Sequence, residues 1–129
     1  MVKLLVVTHK QLYFSKMNER HSSIGGFSTW HNYLSKYVKE LHILCPVKLV
    51  DKSAEGAPPL EDRIKVHHGL RQGQGMGVLK AIIYTLNIAR TYDVDVVICK
   101  IPGLIGVAGV VGSWLSRKPN VLQVFEIGR

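Results

Sequence analysis

Residues 2–7 read Val-Lys-Leu-Leu-Val-Val, a near-continuous apolar run that closes on Thr8. A strand covered on both faces has this composition, whereas a half-exposed strand alternates, so 2–8 is expected to be a central strand. A polar stretch over 9–25 is expected to be a long loop. Beyond it Phe27, Trp30, Tyr33, Leu34, Tyr37 and Val38 recur at spacings of three and four, which predicts a helix with these residues toward the core. Residues 41–47 form a second short strand, stopped by Pro46. Gly56, Pro58 and Pro59 mark a surface connection, 64–68 alternates as a third strand, and 69–77 is a loop.

Leu79, Ile82, Ile83, Leu86 and Ala89 predict a second helix over 78–92, and 94–99 a fourth strand buried on both faces. Pro102 and Gly103 turn the chain into a third helix over 104–116. Its Gly106, Ala108, Gly109 and Gly112 weaken it by about 1 kcal/mol per glycine relative to alanine, so close packing against the sheet is expected to be their reason. Residues 121–125 complete five strands. Helices between strands imply right-handed crossovers, hence an open, mostly parallel five-stranded α/β sheet with helices on both faces, in a single domain over 1–129.

The chain carries a net charge of +8, which favours anionic partners. Its basic residues are scattered without a Lys/Arg tract, which argues against nucleic acid and leaves nucleotide sugars or an anionic membrane surface. Cys45 and Cys99 sit in apolar runs without zinc-ligand spacing and read as reduced core residues. The apolar run 101–115 is shorter than the roughly 18 residues of a spanning helix, and 2–7 is too short for a signal core. A cytoplasmic location is expected, with peripheral contact at the inner membrane face.

Ligands of an open parallel sheet gather at the carboxyl ends of its strands. That rule brings together the loop after the first strand with His9, the loop 69–77 after the third strand, the turn holding Lys100, Pro102 and Gly103, and the tail from Glu126 to Arg129. Gly25 and Gly26 precede the first helix, where free N–H groups and the helix dipole favour a phosphate. Walker, nucleophile-elbow and His-Glu-x-x-His patterns are absent. His67 and His68 are adjacent and point to opposite faces of a strand, so they do not form a shared metal site, and no metal or other cofactor is expected.

In order, Lys3-Leu4-Leu5-Val6-Val7-Thr8-His9, Ile24-Gly25-Gly26-Phe27 and Glu40-Leu41-His42-Ile43-Leu44-Cys45-Pro46 resemble the opening of family 4 glycosyltransferases of the GT-B fold. Asp95-Val96-Val97-Ile98-Cys99-Lys100, Pro102-Gly103-Leu104, Lys118-Pro119 and Val121-Leu122-Gln123-Val124-Phe125-Glu126 are similar to that family's fourth and fifth strands. The resemblance implies a Rossmann-like amino-terminal domain. In it Gly25, Gly26 and Phe27 approach the phosphates of a nucleotide-sugar donor, and His9, Lys100, Pro102 and Arg129 serve the acceptor. Many family members carry histidines where this chain has Lys100 and Glu126, and the resemblance leaves Glu126 as the candidate catalytic group. The Glu-x7-Glu pair of the donor-binding half is absent. The chain is therefore expected to be a truncated or separately encoded half, inactive without a carboxy-terminal donor domain on a partner chain, or self-associating. Two other readings share the same crevice and charge: a flavodoxin-like module for a phosphate-bearing ligand, and a subunit that recruits a transferase to membranes.

Overall fold

The computed structural model describes residues 1–23, 26–51, 58–70, 77–101 and 103–124. They form β1 (Lys3–Val7), β2 (Leu12–Ser15), β3 (Arg20–Ser22), α1 (Phe27–Ser35), β4 (Glu40–Val50), β5 (Ile64–Leu70), α2 (Gly77–Thr91), β6 (Val96–Ile101), α3 (Leu104–Leu115) and β7 (Asn120–Val124). The fold is α/β around an open, mostly parallel sheet. β1 lies between β4 and β6, with Val7 opposite Leu44 on one side and Cys99 on the other. β5 pairs with β4 and β7 with β6, both in parallel, so the parallel strands run β5-β4-β1-β6-β7.

The apolar run at the start of the chain is central because both of its faces are covered. Leu5 and Val7 join one core with Leu44, Val97, Cys99 and the α2 and α3 residues Ala81, Ile88 and Ala108. Leu4 and Val6 join a second core with Ile43, Cys45 and Val38, against which Phe27 and Leu34 of α1 pack. Each fully buried Leu or Val contributes about 1.5–3 kcal/mol relative to exposure. α3 reaches its place through its small residues. A Cβ on Gly109 would meet Val7 Cβ at 2.8 Å, and one on Gly112 would meet Thr85 Cβ at 2.6 Å, so the close packing expected of them is present. Cys45 and Cys99 are reduced and buried, and burial pushes their thiols up to about 12 and about 11.

Among the described residues the sheet has seven strands, where five were expected. The two extra strands lie in the stretch expected to be a loop: β2 pairs in parallel with residues 47–50 of β4 and turns back antiparallel into β3. They form because β4 is longer than its sequence implies. Pro46 does not end it; the register against β5 shifts between Leu44 and Pro46, and the strand continues to Val50, where β2 finds a template. The inward face of α1 also differs from expectation. Its buried residues are Ser28, His31 and Ser35, while Trp30, Tyr33 and Tyr37 are exposed. In α2 the buried positions are Ala81, Thr85, Ile88 and Ala89, and Leu79 and Ile83 face outward. α2 carries two stripes at helical spacing and turns the one with smaller residues inward, while α1 turns in two serines and a histidine; in both, the smaller residues let the helix sit closer to its neighbours.

Candidate functional site

The carboxyl ends of β1 and β6 and the start of α1 meet around Lys100. Lys100 is the penultimate residue of β6, with only 3% of its surface exposed. Its ammonium lies 3.0 Å from His31 Nε2 and 4.7 Å from the centroid of the Phe27 ring. His31 is one turn along α1 from Phe27; its ring stacks on Phe27 with centroids 4.0 Å apart, and its Nδ1 is 2.8 Å from the Phe27 carbonyl oxygen. The carbonyl can only accept, so Nδ1 carries the proton and Nε2 offers its lone pair to the Lys100 ammonium. Burial, then the neighbouring Lys100 charge, hold His31 down at about 4, against the opposing effect of the Phe27 carbonyl, so the ring is neutral at pH 7. Burial also lowers Lys100 to about 8.

α1 is fixed beside this lysine by polar clamps. Asn32 Nδ2 donates to the Pro59 carbonyl at 2.9 Å, and the Glu61 N–H donates to Asn32 Oδ1 at 2.8 Å. At the helix start, the buried hydroxyls of Ser23 and Ser28 lie 2.9 Å apart. Gly26 is the residue before the helix, no described side chain caps it, and the first turn carries no acid. A Cβ at Gly26 would meet nothing within 4 Å, so the backbone there stands open to an approaching group. An uncapped helix start next to a desolvated cation concentrates positive potential, an arrangement suited to phosphate oxygens.

His9 enters from the other side. It follows β1 and is exposed, and its ring packs against Gly103, where a Cβ would lie 2.6 Å from Nδ1. Gly103 also adopts φ 152°, which an L side chain rarely tolerates, so glycine is required there twice over. Of the residues expected at the site, Phe27 and Lys100 are thus in contact, Gly26 adjoins Phe27 at the helix start, and His9 packs against Gly103, in the turn that follows Lys100. Gly25, Pro102, Glu126 and Arg129 lie outside the described residues, as does most of the 69–77 loop.

The sequence reading missed His31, Ser23 and Ser28. The signal available for His31 was its position four residues after Phe27, on the same helix face as the residue following the diglycine. His67 and His68 do point to opposite faces, and each meets another histidine: His67 Nε2 is 3.0 Å from His42 Nδ1, and His68 Nε2 is 2.7 Å from His21 Nε2. Among the described residues no group of three or more His, Cys, Asp or Glu side chains is placed to hold a metal ion. Nor is any described helix long and apolar enough to cross a membrane. No family model matches the chain, and no curated protein matches it.

Proposed function

We propose that this chain supplies the amino-terminal, Rossmann-like half of a nucleotide-sugar-dependent glycosyltransferase of the GT-B type, with helices on both faces of its sheet. In this reading Gly25, Gly26 and Phe27 approach the donor phosphates, and His9, Lys100, Pro102 and Arg129 line the acceptor side. Glu126 stands at the reaction centre, and a carboxy-terminal donor domain completes hexosyl transfer. The observation that supports it best is Lys100, a buried ammonium held by His31 and Phe27 beside the uncapped start of α1. Burying a cation disfavours folding, and a lysine kept only for structure is replaceable by an apolar residue of similar volume. A lysine that lines the acceptor side and, through its contact with Phe27, also faces the donor diphosphate at the start of α1 has a reason to stay.

The test is calorimetric titration of the full chain with UDP-glucose, GDP-mannose and the free nucleotides, for the wild type and Lys100→Met. Binding by the wild type, lost in a variant that unfolds at the same or higher temperature, is the expected result. Absence of nucleotide binding, or binding unchanged by the substitution, refutes the assignment of the crevice. Clear sugar transfer by the isolated chain refutes the need for a second half.

A further inference from the structure

The outward face of α1 and the turn that follows it, where Tyr37 lies, are built like a surface that meets lipid. Trp30, Tyr33 and Tyr37 recur at helical spacing and are 49%, 53% and 63% exposed. Their order comes from one another: Trp30 stacks on Tyr33 with centroids 6.1 Å apart, and Tyr33 meets Tyr37 at 5.2 Å. Exposed Lys36 and Lys39 flank the stripe, and the Lys39 N–H donates to the Val2 carbonyl at 2.7 Å, which sets exposed Met1 and Val2 at its end. Scattered single apolar residues on a surface need no explanation, but a contiguous aromatic row does.

Charge selects the occupant. No Asp or Glu occurs between Phe27 and Lys39. Among the described acids near it, Glu40 pairs with His42 at 2.9 Å, Glu61 with Arg63 at 2.9 Å, and Asp95 accepts from the Lys3 N–H at 2.8 Å. Two copies of a chain of net charge +8 repel, which disfavours self-association through this basic face. Trp and Tyr sit well at the level of lipid headgroups, where the ring is apolar and its N–H or O–H stays wet, and flanking lysines meet anionic phosphates.

We propose that the Trp30–Tyr33–Tyr37 face, with Lys36 and Lys39, docks on an anionic phospholipid membrane. Docking in this way sets the start of α1, and with it Lys100, close to the headgroup layer, because Trp30 lies one turn from Gly26 and its main-chain N–H donates to the Gly26 carbonyl. The proposal stands on the surface itself and does not depend on the sugar-transfer reading.

Sedimentation of the full chain with vesicles of phosphatidylglycerol and phosphatidylcholine, and with phosphatidylcholine alone, tests it. A Trp114→Phe background leaves Trp30 as the single tryptophan reporter. The chain is expected to bind the anionic vesicles, to be released by salt, and to shift Trp30 emission to the blue. Lys36→Gln with Lys39→Gln is expected to weaken binding by about fivefold per charge, roughly 25-fold together. Trp30→Ala, Tyr33→Ala and Tyr37→Ala combined is expected to abolish it while circular dichroism stays unchanged. Absence of vesicle binding overturns the proposal. So does binding retained by the triple variant, or binding without a shift in Trp30 emission, since adsorption then uses another face. A dimer in light scattering that the triple variant dissolves also overturns it, because the occupant is then a second copy.

Discussion

Replacing Gly106 by alanine sets helix propensity against packing. In an isolated helix the change favours α3 by about 1 kcal/mol. In the folded protein a Cβ at Gly106 would overlap the Lys100 carbonyl oxygen and lie 2.8 Å from its carbonyl carbon. That neighbour is backbone and cannot rotate aside, so either α3 or the end of β6 has to move. Overpacking of this kind costs about 1–3 kcal/mol, and a main-chain obstacle places Gly106 at the upper end, about 3 kcal/mol. The net loss is about 2 kcal/mol, a fall of roughly 8 °C in Tm for a chain of this size. Val107→Ala, on the exposed side of the same helix, serves as the control and is expected to stay within about 0.5 kcal/mol. Thermal melts followed by circular dichroism, with urea titrations at 25 °C, give both values. A Tm for Gly106→Ala equal to or above the wild type refutes the reasoning: α3 would not then approach β6 closely, and propensity alone would govern the helix.

Four further outcomes follow from particular residues. Among the described residues Thr85 Oγ1 is the buried side-chain polar atom without a hydrogen-bond partner, so Thr85→Val is expected to stabilise by about 1–2 kcal/mol in urea unfolding; a destabilised variant would reveal a hidden partner. Burial and neighbouring charges hold His21, His31 and His67 at about 4, below the ordinary 6.5. The stability they contribute as neutral rings is complete above pH 6.5 and is lost as pH falls from there toward 4. Urea midpoints should therefore drop between pH 7 and pH 5, with a smaller drop in His31→Gln; a flat profile counts against the buried histidines. Lys100, lowered to about 8, is expected to lose affinity for nucleotide anions between pH 7 and pH 9 in calorimetry, and to make the folded state more stable as pH rises from 8 toward 10.5. Gly103→Ala is expected to displace His9 and unfold at a lower Tm, because the added Cβ meets the ring at 2.6 Å and the backbone there has φ 152°; an unchanged His9 ring resonance in NMR would contradict that contact.

Much of the fold was legible in order along the chain. The apolar run at β1, buried on both faces, announced a central strand of a parallel sheet without help from distant residues, while β6, expected to be equally covered, is buried on one face and half-buried on the other. The small residues of α3 announced a close helix, since glycine in a helix interior has to be offset by packing. The rim carrying His9, Gly26 and Lys100 followed from the same topology, because strands running one way end on one side of the sheet.

What the sequence left open was every choice between alternatives of equal periodicity or distant partners. Residues 27–38, which span α1 and the turn after it, carry two stripes at helical spacing, one with Phe27, His31, Leu34 and Val38 and one with Trp30, Tyr33 and Tyr37, and nothing in their spacing says which turns inward. The fit of His31 beneath Lys100, and of small Ser28 and Ser35 against the body of the domain, decided it. The β2–β3 hairpin exists only because β4 runs past Pro46 and offers residues 47–50 as a template. Lys100 and His31 are 69 positions apart, and their contact arises only when the crossover connections have closed around β1. Local pattern fixes which residues belong inside a strand or helix; which face meets which neighbour is settled by shape and hydrogen bonding across the assembled core, and neither is encoded at any single position.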